Sequence, residues 1–251
     1  MEKINSPIYF ISDCHFTIDK GDSKRRKLMF SLFEEIKLKK GNLVIGGDFF
    51  DFWFEYKNNP IDSYSDIFKA LEALSKHGVD IYYLLGNHDF WDFGFFQKKF
   101  KAKVYTDELA ISSNNSKMKL MHGDGILKKD FIYRIFRSII RSKTSIFLFN
   151  LLPSKIGVKI SKIISNTAHR EYFENKNIKD SLYQFASNKI WSKDINIFLV
   201  GHYHQLGIVN DQQNDKNKII FLGDWLHNFT VTKFENNQWT QKNWMDSHQN
   251  E

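Results

Sequence analysis

Five short motifs in the 251-residue chain bring together carboxylates, imidazoles and one amide, four of them with glycine. They are Asp13-Cys14-His15, Gly47-Asp48-Phe49-Phe50-Asp51, Gly86-Asn87-His88-Asp89, His122-Gly123-Asp124 and Gly201-His202-Tyr203-His204. Carboxylate oxygen, imidazole nitrogen and amide oxygen together suit a borderline divalent ion such as Mn²⁺, Fe²⁺ or Zn²⁺ better than Ca²⁺, which takes oxygen ligands. One cysteine cannot build a thiolate-rich structural zinc site. Asp13 and His15, like His202 and His204, stand two residues apart. In extended backbone such pairs project to one side and could meet one ion. Each motif alone is weak: a histidine behind a strand is usually a satisfied turn or core residue, Asp48 or Asp51 could cap a helix, and 86–89 could be a plain turn. The weight lies in all five occurring together, in order, each behind an apolar run.

Those runs are the elements that must position the motifs. Residues 8–12 read as a buried strand stopping at Asp13. Apolar stretches at 43–45, 79–85, 117–121, 195–200 and 219–222 read as further strands, ending at Gly46, Gly86, His122, Gly201 and Gly223. Residues 229–234 read as the last strand. Apolar residues at helical spacing predict helices over 24–39 and 64–77. Alternating strand, polar loop and helix imply an α/β layered sheet with its chemistry beyond the carboxyl ends of the strands. Residues 126–193 break the pattern and read as two or three helices without a strand, a cap inserted into one domain spanning 1–251. Phe131, Ile132, Ile135, Phe136, Ile139 and Ile140 form an apolar stripe there, with Arg134, Arg137 and Arg141 on another face. An ordinary amphipathic helix turns such a stripe inward and leaves its arginines in water. A basic amphipathic helix can instead lie on an anionic membrane.

The composition, 42% hydrophobic and 26% charged, fits a folded globular chain. The net charge of +7 is unevenly placed: residues 126–193 carry 14 Lys and Arg against 4 Asp and Glu, so the rest of the chain is slightly acidic. The one cysteine favours a reducing compartment. The N-terminus lacks a long apolar leader core, and no run approaches the roughly 20 apolar residues of a membrane span. These features point to a cytoplasmic protein, peripheral at the inner face of the cytoplasmic membrane if the basic stripe is a surface anchor.

The series D-x-H, G-D-x-x-D, G-N-H-D, H-G-D and G-H-x-H resembles the calcineurin-like metallophosphoesterases. The resemblance implies a β-sandwich flanked by helices, with two divalent metal ions at one end: Mn²⁺ first, Fe²⁺ or Zn²⁺ as alternatives. It implies one ion on Asp13, His15 and His204, a second on Asn87, His122 and His202, and Asp48 bridging both. His88, next to Asn87, would then stabilise or protonate the leaving oxygen, with Asp89 orienting its imidazole. Asp51 and Asp124 are further candidates for supporting the site.

Gly47–Tyr56 (GDFFDFWFEY), Phe90-Trp91 and Leu222-Gly223-Asp224-Trp225 narrow the resemblance to the UDP-2,3-diacylglucosamine hydrolases of lipid A synthesis. That family cleaves a lipid-linked nucleotide sugar to UMP and a diacylglucosamine 1-phosphate, with a helical cap over the acyl chains. The stretch from Lys129 to Arg137 is similar to the family's cap entry, which implies Asp130 and Tyr133 near the glucosamine headgroup; Asn87, His88 and His202 are implied as further substrate-binding residues. Asn166, Thr167 and Arg170 match a second cap helix more loosely. Many members carry Arg where this chain has His88. That departure supports an alternative, a phosphodiesterase acting on a soluble nucleotide or nucleic acid. A non-catalytic scaffold retaining the fold is a further alternative, opposed by the presence of the full ligand set. No obligate protein partner is implied.

Overall fold

The computed structural model describes residues 1–18, 22–55, 62–127, 130–152, 156, 177–191 and 194–248. The strands are β1 (Glu2–Lys3), β2 (Ile8–Ile11), β3 (Asn42–Ile45), β4 (Trp53–Phe54), β5 (Ile81–Leu84), β6 (Asp89–Trp91), β7 (Lys103–Tyr105), β8 (Leu109–Ser113), β9 (Ser116–Met121), β10 (Ile197–Val200), β11 (Leu206–Asn210), β12 (Lys218–Leu222), β13 (Thr230–Glu235) and β14 (Gln238–Asn243). The helices are α1 (Ser23–Leu38), α2 (Ser65–Lys76), α3 (Phe95–Phe100), α4 (Phe131–Ile140), α5 (Lys143–Asn150) and α6 (Asn177–Lys189).

Two six-stranded sheets stack on each other, in the orders β1-β8-β9-β10-β12-β11 and β14-β13-β2-β3-β5-β7. β2, β5 and β10 are apolar throughout because both of their faces are covered. In β2, Ile8 and Phe10 point into the space between the sheets, whereas Tyr9 and Ile11 point to the helices outside. Leu109, Ile111, Met118, Leu120, Ile197, Leu199 and Leu222 meet Ile8 and Phe10 across the sandwich. On the outer face of the β2 sheet, α1 buries Met29, Leu32, Phe33 and Ile36, and α2 buries Ile67, Phe68, Leu71 and Leu74. On the other side, α6 buries Ile178, Leu182 and Ala186 against Phe198, Val200, Ile219 and Phe221. The sheets are thus flanked by helices on both sides, the layered α/β architecture anticipated from the strand pattern.

Two expectations change. The insertion read as 126–193 contains α6, yet α6 is an outer layer of the body, because its apolar face pairs with the exterior of β10 and β12. Residues 229–234 are not the last strand: β14 follows and pairs antiparallel with β13. Its exposed and half-buried residues alternate, so it lacks a continuous apolar run.

The sequence left open which face of the cap helix is buried. Phe131, Ile135 and Ile139 are 60%, 47% and 58% exposed, so these residues of the α4 stripe face outward. Its arginines reach inward: Arg134 donates to the carbonyls of Gly125 (3.0 Å) and Leu127 (2.9 Å), and Arg137 pairs with Asp124 at 3.2 Å. The helix is inverted relative to an ordinary amphipathic helix. It is seated through Ile140, with Ile146 and Phe149 of α5, on an aromatic cluster of Phe52, Phe54, Phe90 and Trp91. Parallel pairing of β4 with β6 brings those aromatics side by side. Among the described residues no helix is long and apolar enough to cross a membrane.

Leu199 is fully buried between the sheets. Leu199→Ala leaves a cavity on a central strand and is expected to lower the unfolding free energy by about 2–5 kcal/mol, read as a shift of the urea midpoint at unchanged slope.

Candidate metal centre

The five motifs meet at one end of the sandwich. β2, β3 and β5 run parallel in one sheet, and β9 and β10 run parallel in the other. Asp13, Asp48 and Asn87 follow the carboxyl ends of the first three strands, and His122 and His202 those of the last two.

The local backbone is not the extended chain anticipated for the paired motifs. Asp13, His15, Asp48, His202 and His204 all have positive φ, between 45° and 63°. Asp and His tolerate the left-handed region better than most residues, but each still costs on the order of 1 kcal/mol. Side chains therefore reach the centre through sharp turns, not through strand alternation. The turns are tied to one another. The amides of Asp13 and His15 donate to the carbonyls of Gly47 (3.0 Å) and Asp48 (2.9 Å). The Arg25 guanidinium donates to the carbonyls of Cys14 (2.7 Å) and His15 (3.1 Å). The Trp225 amide donates to the Asp13 carbonyl at 3.1 Å.

The side chains form overlapping groups. Asp13, His15 and His204 offer ligand atoms within 4.8 Å of one another, as do Asp48, His122 and His202, and His15, Asp48 and His88. Asn87 Oδ1 lies 3.0 Å from His122 Nε2 and 2.9 Å from His202 Nδ1. Asp48 Oδ2 lies 3.2 Å from His122 Nε2 and 3.9 Å from His15 Nε2. Donor atoms about 2.1 Å from a common ion sit roughly 3–3.4 Å apart, so the close spacings of Asn87 to His122 and His202, and of Asp48 to His122, are those of atoms sharing one coordination sphere. His122 Nδ1 lies 2.8 Å from the Gly46 carbonyl, which places the ring proton there and turns Nε2 toward Asp48 and Asn87. The donor set fits a divalent cation.

The electrostatics agree. Burial pushes the Asp48 carboxyl up, but the rings of His122 and His88, with His15 behind them, outweigh it and hold the group well below the usual carboxylate range. Burial disfavours a charged His122, yet Asp48 lifts its pKa to about 10. Burial, then the neighbouring His122, presses His202 down to about 4. The cluster as a whole stabilises positive charge at Asp48, and a divalent ion satisfies several donors where a proton satisfies one.

Asp89 does something other than orient His88. Its carboxylate is fully buried. It accepts from the amides of Asp48 (2.9 Å) and Gly86 (2.9 Å) and from the Tyr83 hydroxyl (3.0 Å). It welds the Asp48 turn to the Asn87 turn because an ionised carboxylate is the strongest acceptor for two converging amides. The His88 imidazole is met instead by the Asp51 carbonyl, 2.5 Å from Nδ1. Asp124 accepts from the Tyr133 hydroxyl at 2.8 Å, so Tyr133 is drawn toward the centre. Asp130 accepts from the Leu127 amide at 3.0 Å in the turn entering α4. Lys129, Asn166, Thr167 and Arg170 lie outside the described residues. Sequence reasoning missed Arg25, which supports the Asp13 turn, and Arg141, which reaches the Asn87 turn. Both are unremarkable as basic residues on helical patterns.

Gly86 allows this convergence. A Cβ there would meet Asp48 Oδ1 at 2.2 Å, the Asp48 amide at 2.7 Å and His122 Nε2 at 2.8 Å. Gly86→Ala is therefore expected to force the Asp48 and His122 donors apart and weaken divalent-metal binding at least about tenfold. Isothermal titration of Mn²⁺ into the metal-stripped variant, beside circular dichroism to verify folding, checks this.

Residues 6–206 match the calcineurin-like phosphoesterase family. The chain is 30% identical over 224 residues to a UDP-2,3-diacylglucosamine hydrolase of Haemophilus influenzae, covering 88% of this chain and 91% of that protein. It is 26% identical over 247 residues to the protein of the same name from Porphyromonas gingivalis, covering 89% and 92%. Among solved structures, a phosphoesterase from E. coli is similar at 13% identity and a TM-score of 0.46, covering 94% of this chain and 91% of that one. The chain belongs to the calcineurin-like phosphoesterase family and is a metal-dependent hydrolase.

Proposed function

We propose that the chain hydrolyses the pyrophosphate of UDP-2,3-diacylglucosamine, giving UMP and 2,3-diacylglucosamine 1-phosphate. The observation that carries this reading is the inverted cap helix, which sets an exposed apolar face directly above a centre suited to phosphoester chemistry. Phe147, Leu148 and Leu151 of α5 and the segment after it extend that face, at 62%, 57% and 66% exposure. So many large apolar side chains in contact with water mark a surface for a lipid or a partner. The net positive charge of this region favours an anionic membrane surface. Beneath the cap, a cleft of about 470 Å³ joins apolar walls of Phe90, Trp91 and Ile146 to the basic side chains of Arg134 and Arg137. An anionic headgroup attached to acyl chains needs both kinds of wall. The relatives carrying this substrate in their names support the same reading.

Asp13, His15 and His204 would hold one divalent ion. Asn87, His122 and His202 would hold a second, and Asp48 would be shared. Mn²⁺ fits this mixed set, with Fe²⁺ or Zn²⁺ as alternatives. When bound, the ions supply charge neutralisation on the phosphoryl oxygens and activation of water. No side-chain nucleophile is required. His88 stands beside His15, ring centroids 4.6 Å apart. Fixed at Nδ1 by the Asp51 carbonyl, it is poised to present Nε2 to the leaving oxygen. Asp130 and Tyr133 would border the sugar headgroup, with Thr167 and Arg170 contributing from farther along the cap. The enzyme would work on the cytoplasmic side, peripheral to the membrane.

Phosphorus NMR of the Mn²⁺-supplemented protein is expected to show UMP and acylated sugar phosphate from UDP-2,3-diacylglucosamine, and no cleavage of unacylated UDP-glucosamine. Equal rates on both would remove the cap from the reading. Cleavage of a generic phosphodiester alone would leave a soluble substrate as the better account. His88→Ala is expected to lower kcat by about 10²–10⁴-fold while the bound metal, measured by plasma emission, stays at the wild-type level. Loss of metal from that variant would make His88 a ligand.

A further inference from the structure

Arg141 closes α4 and reaches back into the body. Its Nη2 donates to the Gly86 carbonyl at 2.6 Å and to the Asp89 carbonyl at 3.0 Å. These carbonyls stand immediately before Asn87 and immediately after His88, so one nitrogen spans the turn that carries both side chains. One and two helical turns earlier, Arg137 and Tyr133 bind Asp124, two residues past His122. Residues four apart lie on one helix face. That face of α4 therefore grips two loops of the centre, while the opposite face carries Phe131, Ile135 and Ile139 into solvent.

We propose that Arg141 is a positioning residue for the Asn87–His88 turn, acting from the cap through the main-chain carbonyls on either side of it; the proposal rests on the metal-dependent hydrolase reading. Asn87 Oδ1 sits about equally close to His122 and His202, so a displacement of its turn changes both distances together. The His88 amide also binds Asp48 Oδ1, at 2.8 Å, so the same displacement disturbs the shared carboxylate. Misplacement of catalytic groups by about 1 Å can cost about 10²-fold in rate. Because Arg141 touches backbone here, its effect on turnover is independent of which phosphoester is being cleaved. It ties the lipid-facing helix to the reacting groups, a connection that a bare scaffold helix lacks.

The test compares wild type, Arg141→Ala and Arg141→Lys by Co²⁺ titration followed in the visible spectrum, by thermal denaturation, and by kinetics on two substrates. These are a soluble aryl phosphodiester, bis(4-nitrophenyl) phosphate, and UDP-2,3-diacylglucosamine. Arg141→Ala is expected to bind one of two Co²⁺ ions about 10–100-fold more weakly, the usual effect of losing a group that supports a ligand, with the other ion unchanged. kcat should fall by a similar factor on both substrates with KM nearly constant, and Arg141→Lys should recover part of both losses. Wild-type Co²⁺ affinities, with only KM for the acylated substrate raised, would overturn the proposal and make Arg141 a substrate contact. A lowered melting temperature with both ion affinities and kcat intact would overturn it in favour of an ordinary strut. Wild type binding no Co²⁺ would overturn the metal-centre reading, and this proposal with it.

Discussion

A carboxylate sealed from water, Asp48, is the constraint on which the rest of the structure depends. A buried charge is costly unless it is paired and hydrogen-bonded. Here the balance is met by histidines arriving from different strand ends and by the His88 amide. Bringing them together demands two sheets whose strand ends meet at one edge. It demands left-handed turns at several of the converging residues and a glycine at 86 where any side chain would collide with the carboxylate. The Asp89 carboxylate, the Arg25 guanidinium and the Trp225 amide stabilise turns that would otherwise relax. Fold and site are thus one problem: the large apolar sandwich core supplies the stability that lets polar, strained loops persist at its rim.

The cap answers a different constraint. Its helix α4 has an apolar stripe and an arginine face, and either could turn inward. The body offers two things to dock on: an aromatic cluster at Phe52, Phe54, Phe90 and Trp91, and a rim of carbonyls with the Asp124 carboxylate. The aromatic cluster takes Ile140, Ile146 and Phe149. The rim takes the arginines, whose planar forks suit carbonyl and carboxylate acceptors. Phe131, Ile135 and Ile139 are left in water, an arrangement that costs hydrophobic free energy unless another apolar phase covers it.

The sequence made the strands of the core legible because strands buried on both faces are apolar at every position, as 8–11 and 197–200 are. The ligand motifs were legible because they sit where those runs end. What stayed hidden has physical reasons. β11 and β14 alternate exposed with half-buried residues and present no run to find. The left-handed turns leave no mark, since aspartate and histidine occupy either region of backbone space. Asp89 next to His88 suggested a carboxylate–imidazole pair, but adjacent residues on a turn face apart and the carboxylate found amides instead. The direction of α4 was undecidable from its own residues, because amphipathic periodicity states that two faces differ and not which is buried.

The two constraints meet in the kind of molecule such a surface suits. A substrate with acyl chains and a pyrophosphate needs an apolar phase and a cationic, hydrogen-bonding centre within one molecular length. An α-helix with side chains is about 10–12 Å across, so a helix with lipid on one face and the hydrolytic loops on the other sets that separation by its own thickness. A helix with its stripe buried would hide the apolar phase, and one without arginines would have no grip on the loops. Inversion of α4 gives both at once. Under the proposed function, the cap rather than the metal centre would carry the choice of substrate.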